Sequence, residues 1–177
     1  MRFTQTPIAG AVVIGIDPVT DDRGFFARAW DNDEMSANGI DPHIAQMNMS
    51  QTFAAGTFRG FHWNPEPHAE AKTVRCVAGS VYDVIVDMRP GSPTHLQWFG
   101  TELSAANARM LHIPCEVANG FLITSEDTTL LYTTTTPYLP GVERGLRHDD
   151  PSLTIDWPLP ITALSDKDAS WPDYHAS

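Results

Sequence analysis

The stretch Thr57–Asp87, TFRGFHWNPEPHAEAKTVRCVAGSVYDVIVD, decides how the chain is read. It divides into three strands and two connections. Residues 58–63 form a short aromatic strand that carries Arg59 and His62. Residues 64–70 are a Pro-rich connection. Residues 71–77 form a second strand with Lys72 and Arg75. Ala78, Gly79 and Ser80 make a tight turn, where Gly accepts positive φ without steric cost. Residues 81–87 form a third strand. Arg59 and His62 are three apart, so an ideal strand sends them to opposite faces. A bulge or twist near Gly60 would bring both to one site. Cations and a histidine on short strands suit an anionic ligand and a proton transfer. They are also compatible with surface charges around a core strand.

Outward from this stretch, punctuation dominates. Fourteen Pro and twelve Gly cut the 177 residues into short pieces. Helical periodicity is scarce, and turn signals recur about every ten residues, the pattern of an all-β sandwich or barrel. Strands are expected at 11–16, 25–30, 44–53, 95–102, 110–113, 121–124 and 129–136, with residues 17–23 a loop. The β-branched and aromatic LLYTTTT run is the clearest of these. Residues 31–39 read as one or two helical turns, capped by Asp31 or Asn32 and stopped by Gly39. Residues 145–147 and 149–157 close the sheet region. Leu159 onward is expected to pack over the surface. In 44–53, Gln46, Asn48 and Ser50 alternate against Met47, Met49 and Gln51. That polar row is either a wet, ligand-holding interior or an outer solvated face.

Length and composition bound the function. The chain is long enough for one well-filled domain, 1–177, without disulfide or metal staples. A net charge of −11 argues against general affinity for nucleic acid or anionic membrane. Cys76 and Cys115 lack C-x-x-C spacing and read as free thiols. The first residues do not form a convincing signal peptide, and no apolar run approaches the ~20 residues of a membrane span. A cytoplasmic protein is expected.

The motifs then line up. Asp22-Arg23-Gly24-Phe25-Phe26, Arg59-Gly60-Phe61-His62, Lys72-Thr73-Val74-Arg75, Val81-Tyr82-Asp83-Val84, Asp87-Met88-Arg89 and Gly91-Ser92-Pro93-Thr94 come first. Gly120-Phe121, Leu131-Tyr132, Asp149-Asp150-Pro151, Ile155-Asp156-Trp157 and Ser165-Asp166-Lys167-Asp168 follow. Each is weak alone, but the ordered set resembles the dTDP-4-dehydrorhamnose 3,5-epimerase family from about Thr20 to Pro172. The resemblance implies an all-β, cupin-type jelly-roll barrel with short helical turns and a packed C-terminal tail. It also implies a homodimer, a nucleotide-diphosphate sugar site inside the barrel, and no metal or other cofactor.

Epimerisation beside a ketone needs a base to remove a C–H proton and an acid to return one on the other face. By resemblance His62 is the base, Asp168 its carboxylate partner and Tyr132 the acid. Lys72 is expected near the developing enolate oxygen. Arg23 and Arg59 match pyrophosphate or sugar contacts, Tyr138 the group that stacks on the base, and Gln46, Asn48, Glu143 and Lys167 further contacts. Two positions depart from the family pattern. Asn119 stands where a histidine is usual; its amide still donates a hydrogen bond but carries no charge. Arg28 stands where Glu is usual, a charge reversal near the mouth of the site. The departures suggest a changed substrate, and epimerisation at one carbon only, C3 or C5, or a ketoisomerase reaction is the runner-up reading. A metal-dependent cupin would need a His-x-His pair and a later histidine, and Asn64 and Asn119 occupy those positions. A binding protein without turnover is the remaining alternative.

Overall fold

The structure is a computed structural model and describes residues 1–175. In chain order the strands are β1 (Arg2–Gln5), β2 (Val12–Gly15), β3 (Val19–Asp21), β4 (Gly24–Phe26), β5 (Gln46–Thr52), β6 (Phe58–Trp63) and β7 (Lys72–Ala78). They continue as β8 (Ser80–Asp87), β9 (Trp98–Ser104), β10 (Met110–Ile113), β11 (Val117–Ile123), β12 (Thr128–Thr134) and β13 (Arg144–Gly145). Two short helices, α1 (Asn32–Ala37) and α2 (Asp166–Ala169), complete the set. A six-stranded sheet runs β1-β2-β10-β7-β12-β5, a five-stranded sheet runs β13-β6-β11-β8-β9, and β3-β4 is a separate hairpin. All paired strands are antiparallel. Neighbours distant in sequence alternate between the two large sheets, which is the jelly-roll arrangement.

The apolar residues between the sheets are those that the strand alternation directs inward. Val74, Cys76, Val81, Ile85, Leu111, Ile123 and Leu130 are all buried in one cluster. A second cluster, around Phe58, Phe61, Val84, Ala118 and Leu122, is covered by Leu153, Ile155, Trp157 and Ile161 of the C-terminal tail. Trp157 packs edge-on against Phe58, with ring centroids 5.2 Å apart. The tail therefore completes the core.

Several boundaries differ from the sequence expectation. The N-terminal edge strand β1 was not anticipated, because three of its four residues are exposed and show no apolar alternation. The strand expected at 25–30 stops at Phe26, and it pairs with residues that read as loop. The Asp21 carboxylate accepts the Arg23 backbone N–H and so closes this exposed hairpin. Residues 95–97 are turn, and β9 begins only at Trp98. Residues 149–157 are not a strand, since Asp150 is buried and folds the segment by accepting from the Ser152 backbone and hydroxyl. The expected helix is present, with Asp31 accepting from the N–H groups of Asp33 and Glu34. The Asp87–Thr94 motif is structural. Burial would raise the Asp87 carboxyl, but hydrogen bonds from Arg89, Ser92 and Thr94 hold it well below the usual range.

β11 runs unbroken through Gly120, where the sequence pattern separates residues 115–119 from 121–124. The reason is a close backbone approach. A Cβ on Gly120 would lie 2.7 Å from Phe61 Cδ1 and 2.8 Å from Phe58 Cζ. Across the pair, Gly60 has φ +122°, and a Cβ there would lie 2.5 Å from Gly120 Cα. His62 pairs with Asn119 and Arg59 with Phe121, so three steps on β6 span two on β11. This is the bulge anticipated near Gly60.

We predict that Gly60→Ala destabilises the fold, because both the positive φ and the contact resist a methyl group. Overpacking of this kind costs about 1–3 kcal/mol, before backbone strain is added. A thermal melt checks this; an unshifted transition would remove the argument.

Candidate active site

The bulge sets Arg59 and His62 on one wall of a cavity of about 460 Å³ between the two large sheets. β6 and β11 supply His62, Arg59, Asn119 and Phe121; β7 and β12 supply Lys72, Val74, Leu130 and Tyr132. Ser165, Lys167 and Asp168 come from α2 and its cap, and Glu143 from the loop before β13. Eight of the residues singled out in the sequence thus meet here: His62, Tyr132, Asp168, Lys72, Arg59, Asn119, Glu143 and Lys167.

His62 Nε2 lies 2.7 Å from Asp168 Oδ1, while Nδ1 is 3.6 Å from Glu143 Oε1, beyond hydrogen-bond range. The short contact to a carboxylate places a proton on Nε2, which donates to Asp168, and leaves Nδ1 as the ring nitrogen without a hydrogen-bond partner among the described residues. The chain holds Asp168 firmly. Ser165 caps α2 by accepting the Asp168 backbone N–H at 3.1 Å, and Gly60 N–H donates to Asp168 Oδ2 at 3.4 Å. Burial pushes the Asp168 carboxyl up, but the His62 hydrogen bond and charge outweigh it, and the net shift is below the ordinary value. The tail segment that read as a surface cover therefore delivers a buried carboxylate.

On the opposite sheet, Tyr132 is half-buried. Burial, then the negative fields of Glu70 and Glu143, push its phenol above the ordinary value, so it remains protonated at neutral pH. Lys72 Nζ lies 3.1 Å from Glu70 Oε1. Arg59 Nε donates to Thr52 Oγ1 at 3.0 Å, which anchors the base of its side chain. Lys167 pairs with Glu143 at the rim. The alternation of β5 is resolved: Gln46, Asn48 and Ser50 point inward and Ser50 reaches the cavity, whereas Met47 and Met49 are exposed outside.

Gln46 accepts the Tyr138 backbone N–H at 2.8 Å, which ties the exposed Tyr138 loop to this inner row. Gln46, Asn48 and Tyr138 border the site without lining the cavity. Arg23 and Arg28 lie outside it altogether: Arg23 is bound to Asp21 on the exposed hairpin, and Arg28 lies 3.3 Å from Asp31. Asp83 had no assigned role in the sequence reading. It is fully buried, and its Oδ1 is 2.6 Å from Asn119 Nδ2. A lone acidic residue in an apolar strand, VYDVIV, is the signal that marks it. Among the described residues, no three His, Cys, Asp or Glu side chains converge as a metal-binding set.

A family model described as dTDP-4-dehydrorhamnose 3,5-epimerase matches residues 5–176. This chain belongs to that family. It is 39% identical to the dTDP-4-dehydrorhamnose 3,5-epimerase of Sinorhizobium fredii over 97% of this chain and 89% of that protein. It is 37% identical to the dTDP-4-dehydrorhamnose 3-epimerase of Streptomyces niveus, over 95% of this chain and 81% of that protein. The crystal structure of the Bacillus anthracis dTDP-4-dehydrorhamnose 3,5-epimerase with TDP and PPi bound superposes with a TM-score of 0.93. That pair is 35% identical, covering 97% of this chain and 98% of the other. The chain is accordingly a cupin-type epimerase, an enzyme of the isomerase class.

We predict that Asp168→Asn leaves the barrel folded but lowers turnover on the order of 10²-fold, because the imidazole loses the anion that orients it and steadies its charged form. The same exchange alters acid stability. A carboxyl lowered in the folded state contributes fully above its unfolded pKa, and the contribution is lost as pH falls through the lowered folded value. Urea melts below pH 5 should therefore show a shallower acid-side loss in the variant. Equal slopes would contradict the assignment.

Proposed function

We propose that this enzyme is a cytoplasmic homodimer that acts on a nucleotide-diphosphate 4-keto-6-deoxyhexose of the dTDP-4-dehydro-6-deoxyglucose type. His62 removes a proton at C3, C5 or both, Tyr132 returns one on the opposite face, and no metal or other cofactor takes part. One observation carries this reading. A histidine with a fixed tautomer and a protonated phenol enter the same cavity from opposing sheets. A sugar ring between them would have its two faces toward a base and an acid. Lys72 lies on the Tyr132 side, where a fixed cation suits the oxygen that gains charge as the C–H proton leaves. Arg59 and Lys167 add cations suited to the diphosphate, and Tyr138 offers an exposed ring for the base.

A single-carbon reaction is the second reading. Asn119 favours it, because an amide polarises the ketone less than a charged imidazole, and the Streptomyces niveus relative is a 3-epimerase. Incubation with dTDP-4-keto-6-deoxyglucose in D2O, followed by NMR at C3 and C5, tests both readings. Deuterium at both carbons supports double epimerisation, and deuterium at one carbon supports the second reading. We predict that His62→Ala abolishes exchange while retaining nucleotide binding, and that Tyr132→Phe exchanges the abstracted proton without inverting the centre. Near-normal turnover by His62→Ala would rule out His62 as the base.

The homodimer is supported by exposed apolar surface. Phe25 and Phe26 of the β3-β4 hairpin and Met47 and Met49 of edge strand β5 are all exposed, and Phe25, Trp30, Met47, Arg75 and Leu131 line a groove on the outer face of the six-stranded sheet. Edge strands and apolar faces of this kind require cover. A second copy would supply it, and would account for Arg23 and Arg28, which lie outside their own cavity. Two free thiols, Cys76 and Cys115, suit a reducing compartment. We predict that Phe26→Glu with Met49→Glu yields a monomer with weakened nucleotide binding. Light scattering and titration calorimetry check this, and an unchanged mass would remove the interface.

A further inference from the structure

We propose that Asp83 is a proton-bearing positioning residue: as a neutral acid it donates its O–H to Asn119 Oδ1, and this turns the Asn119 amide so that Nδ2–H faces the ligand's carbonyl oxygen. The inference rests on the epimerase reading of the same cavity. It concerns the position where Asn119 departs from the family pattern, and a residue that otherwise has no part in the site.

Asp83 is wholly enclosed. Its backbone lies between β11 and β9, opposite Phe121 and Thr101, which offer no charge. Asn119 is the side chain that hydrogen-bonds it, and the second carboxyl oxygen, Oδ2, is buried with no partner among the described residues. Among the described residues, the cation acting on it is Lys72 of the facing sheet, which already pairs with Glu70. An ionised carboxylate with a bare oxygen in such a place lacks both solvation and a counter-ion. Burial accordingly pushes the carboxyl up to about 8, against the smaller opposing effects of Asn119 and Lys72.

The distance suits an O–H donor. The side-chain separation is 2.6 Å, which lies within the range of O–H···O bonds and below that of ordinary N–H···O bonds. The oxygen and nitrogen of an amide are distinguished by what they bond, and both orientations occupy the same space. With nitrogen toward Asp83, the Asn119 N–H groups are spent on Asp83 and, at 3.4 Å, on the Val84 carbonyl. The amide oxygen is then what remains for a ligand, and it repels an enolate oxygen. With a protonated Asp83 the amide turns over: its oxygen receives the O–H, the long Val84 contact is given up, and the N–H donors face the cavity that Asn119 lines. The pair thus supplies a neutral donor where a charged imidazole is usual, and a proton on Asp83 sets its direction.

The sign of the pH effect follows. Below about pH 8 the carboxyl holds its proton and Asn119 donates to the ligand; above it the amide reverses and the donor is lost. Lys72 and Tyr132 face the same cavity, and the raised phenol of Tyr132 titrates higher still. Two measurements decide the matter. In protein labelled with 13C-aspartate, one carboxyl resonance, assigned by its absence in Asp83→Asn, should titrate near pH 8. A resonance already ionised at pH 5 would overturn the proposal, whatever the activity. In the exchange assay, kcat should fall across pH 8 with KM little altered, since the donor acts on charge that develops in the transition state. Asp83→Asn, which still donates to Asn119 Oδ1, should lose only a few-fold in kcat and move that alkaline limb upward. Asp83→Ala should lose roughly ten times more, the scale of one misdirected hydrogen bond. An Asp83→Asn variant that keeps the limb at pH 8, or loses as much as Asp83→Ala, would overturn the proposal. Absence of exchange in the wild type would instead refute the epimerase reading, and the carboxyl titration would still report on Asp83.

Discussion

The site depends on one close contact, the approach of the β6 and β11 backbones at Gly60 and Gly120. Neither position accepts a Cβ, because each faces the other strand or the Phe58 and Phe61 rings at less than 3 Å. That contact absorbs an extra residue on β6 and redirects two side chains. Without it Arg59 and His62 would face opposite sides of the sheet. With it both enter the cavity, and the Gly60 N–H is left to contact Asp168 from the tail. One steric fact therefore links the fold of the five-stranded sheet, the aim of His62, the proposed base, and the docking of the C-terminal segment.

The two sheets divide the chemistry. The five-stranded sheet carries the histidine and the amide, and the six-stranded sheet carries the phenol and Lys72. Rigid strands hold these groups more tightly than loops would, which is what proton transfer to two faces of a ring requires. The rim is different. Glu143, Lys167 and Tyr138 come from connections and a short helix, so the groups proposed to meet the nucleotide are on the more adaptable parts of the molecule.

Much of this was legible in the chain. The turn at Gly79, the strand that the 129–136 run announces, a helix cap at Asp31 or Asn32 and the polar alternation of β5 all follow from local chemistry, although only the structure shows that the polar row of β5 faces inward. A bulge or twist at Gly60 was legible as one way to bring Arg59 and His62 together. What escaped was non-local. The strand β1 and the β3-β4 hairpin are exposed and lack an apolar period, so no pattern announced them. Asp168 could be named by resemblance, but a polar run in a Pro-rich tail does not disclose that it is buried against His62. Asp83 lies in the Val81–Val84 motif, yet its proposed role depends on a residue 36 positions away.

The charge balance of the cavity gives the substitution at position 119 its meaning. Asp168 is matched by His62, Glu70 by Lys72 and Glu143 by Lys167. Each of these carboxylates has a cationic or ionisable partner within hydrogen-bonding reach. Asp83 has an uncharged amide instead, and it is the most deeply buried of the four. A histidine at 119 would share a proton with this carboxylate and relieve its isolation; an asparagine cannot. The loss of one ionisable group therefore changes the proton state of its neighbour, and the pair becomes neutral together. In a cavity already furnished with Lys72 and Arg59, a neutral donor at this wall leaves less positive charge around the sugar. That favours ligands whose carbonyl needs direction more than strong polarisation, and it locates the distinctive chemistry of this chain on the wall that carries His62.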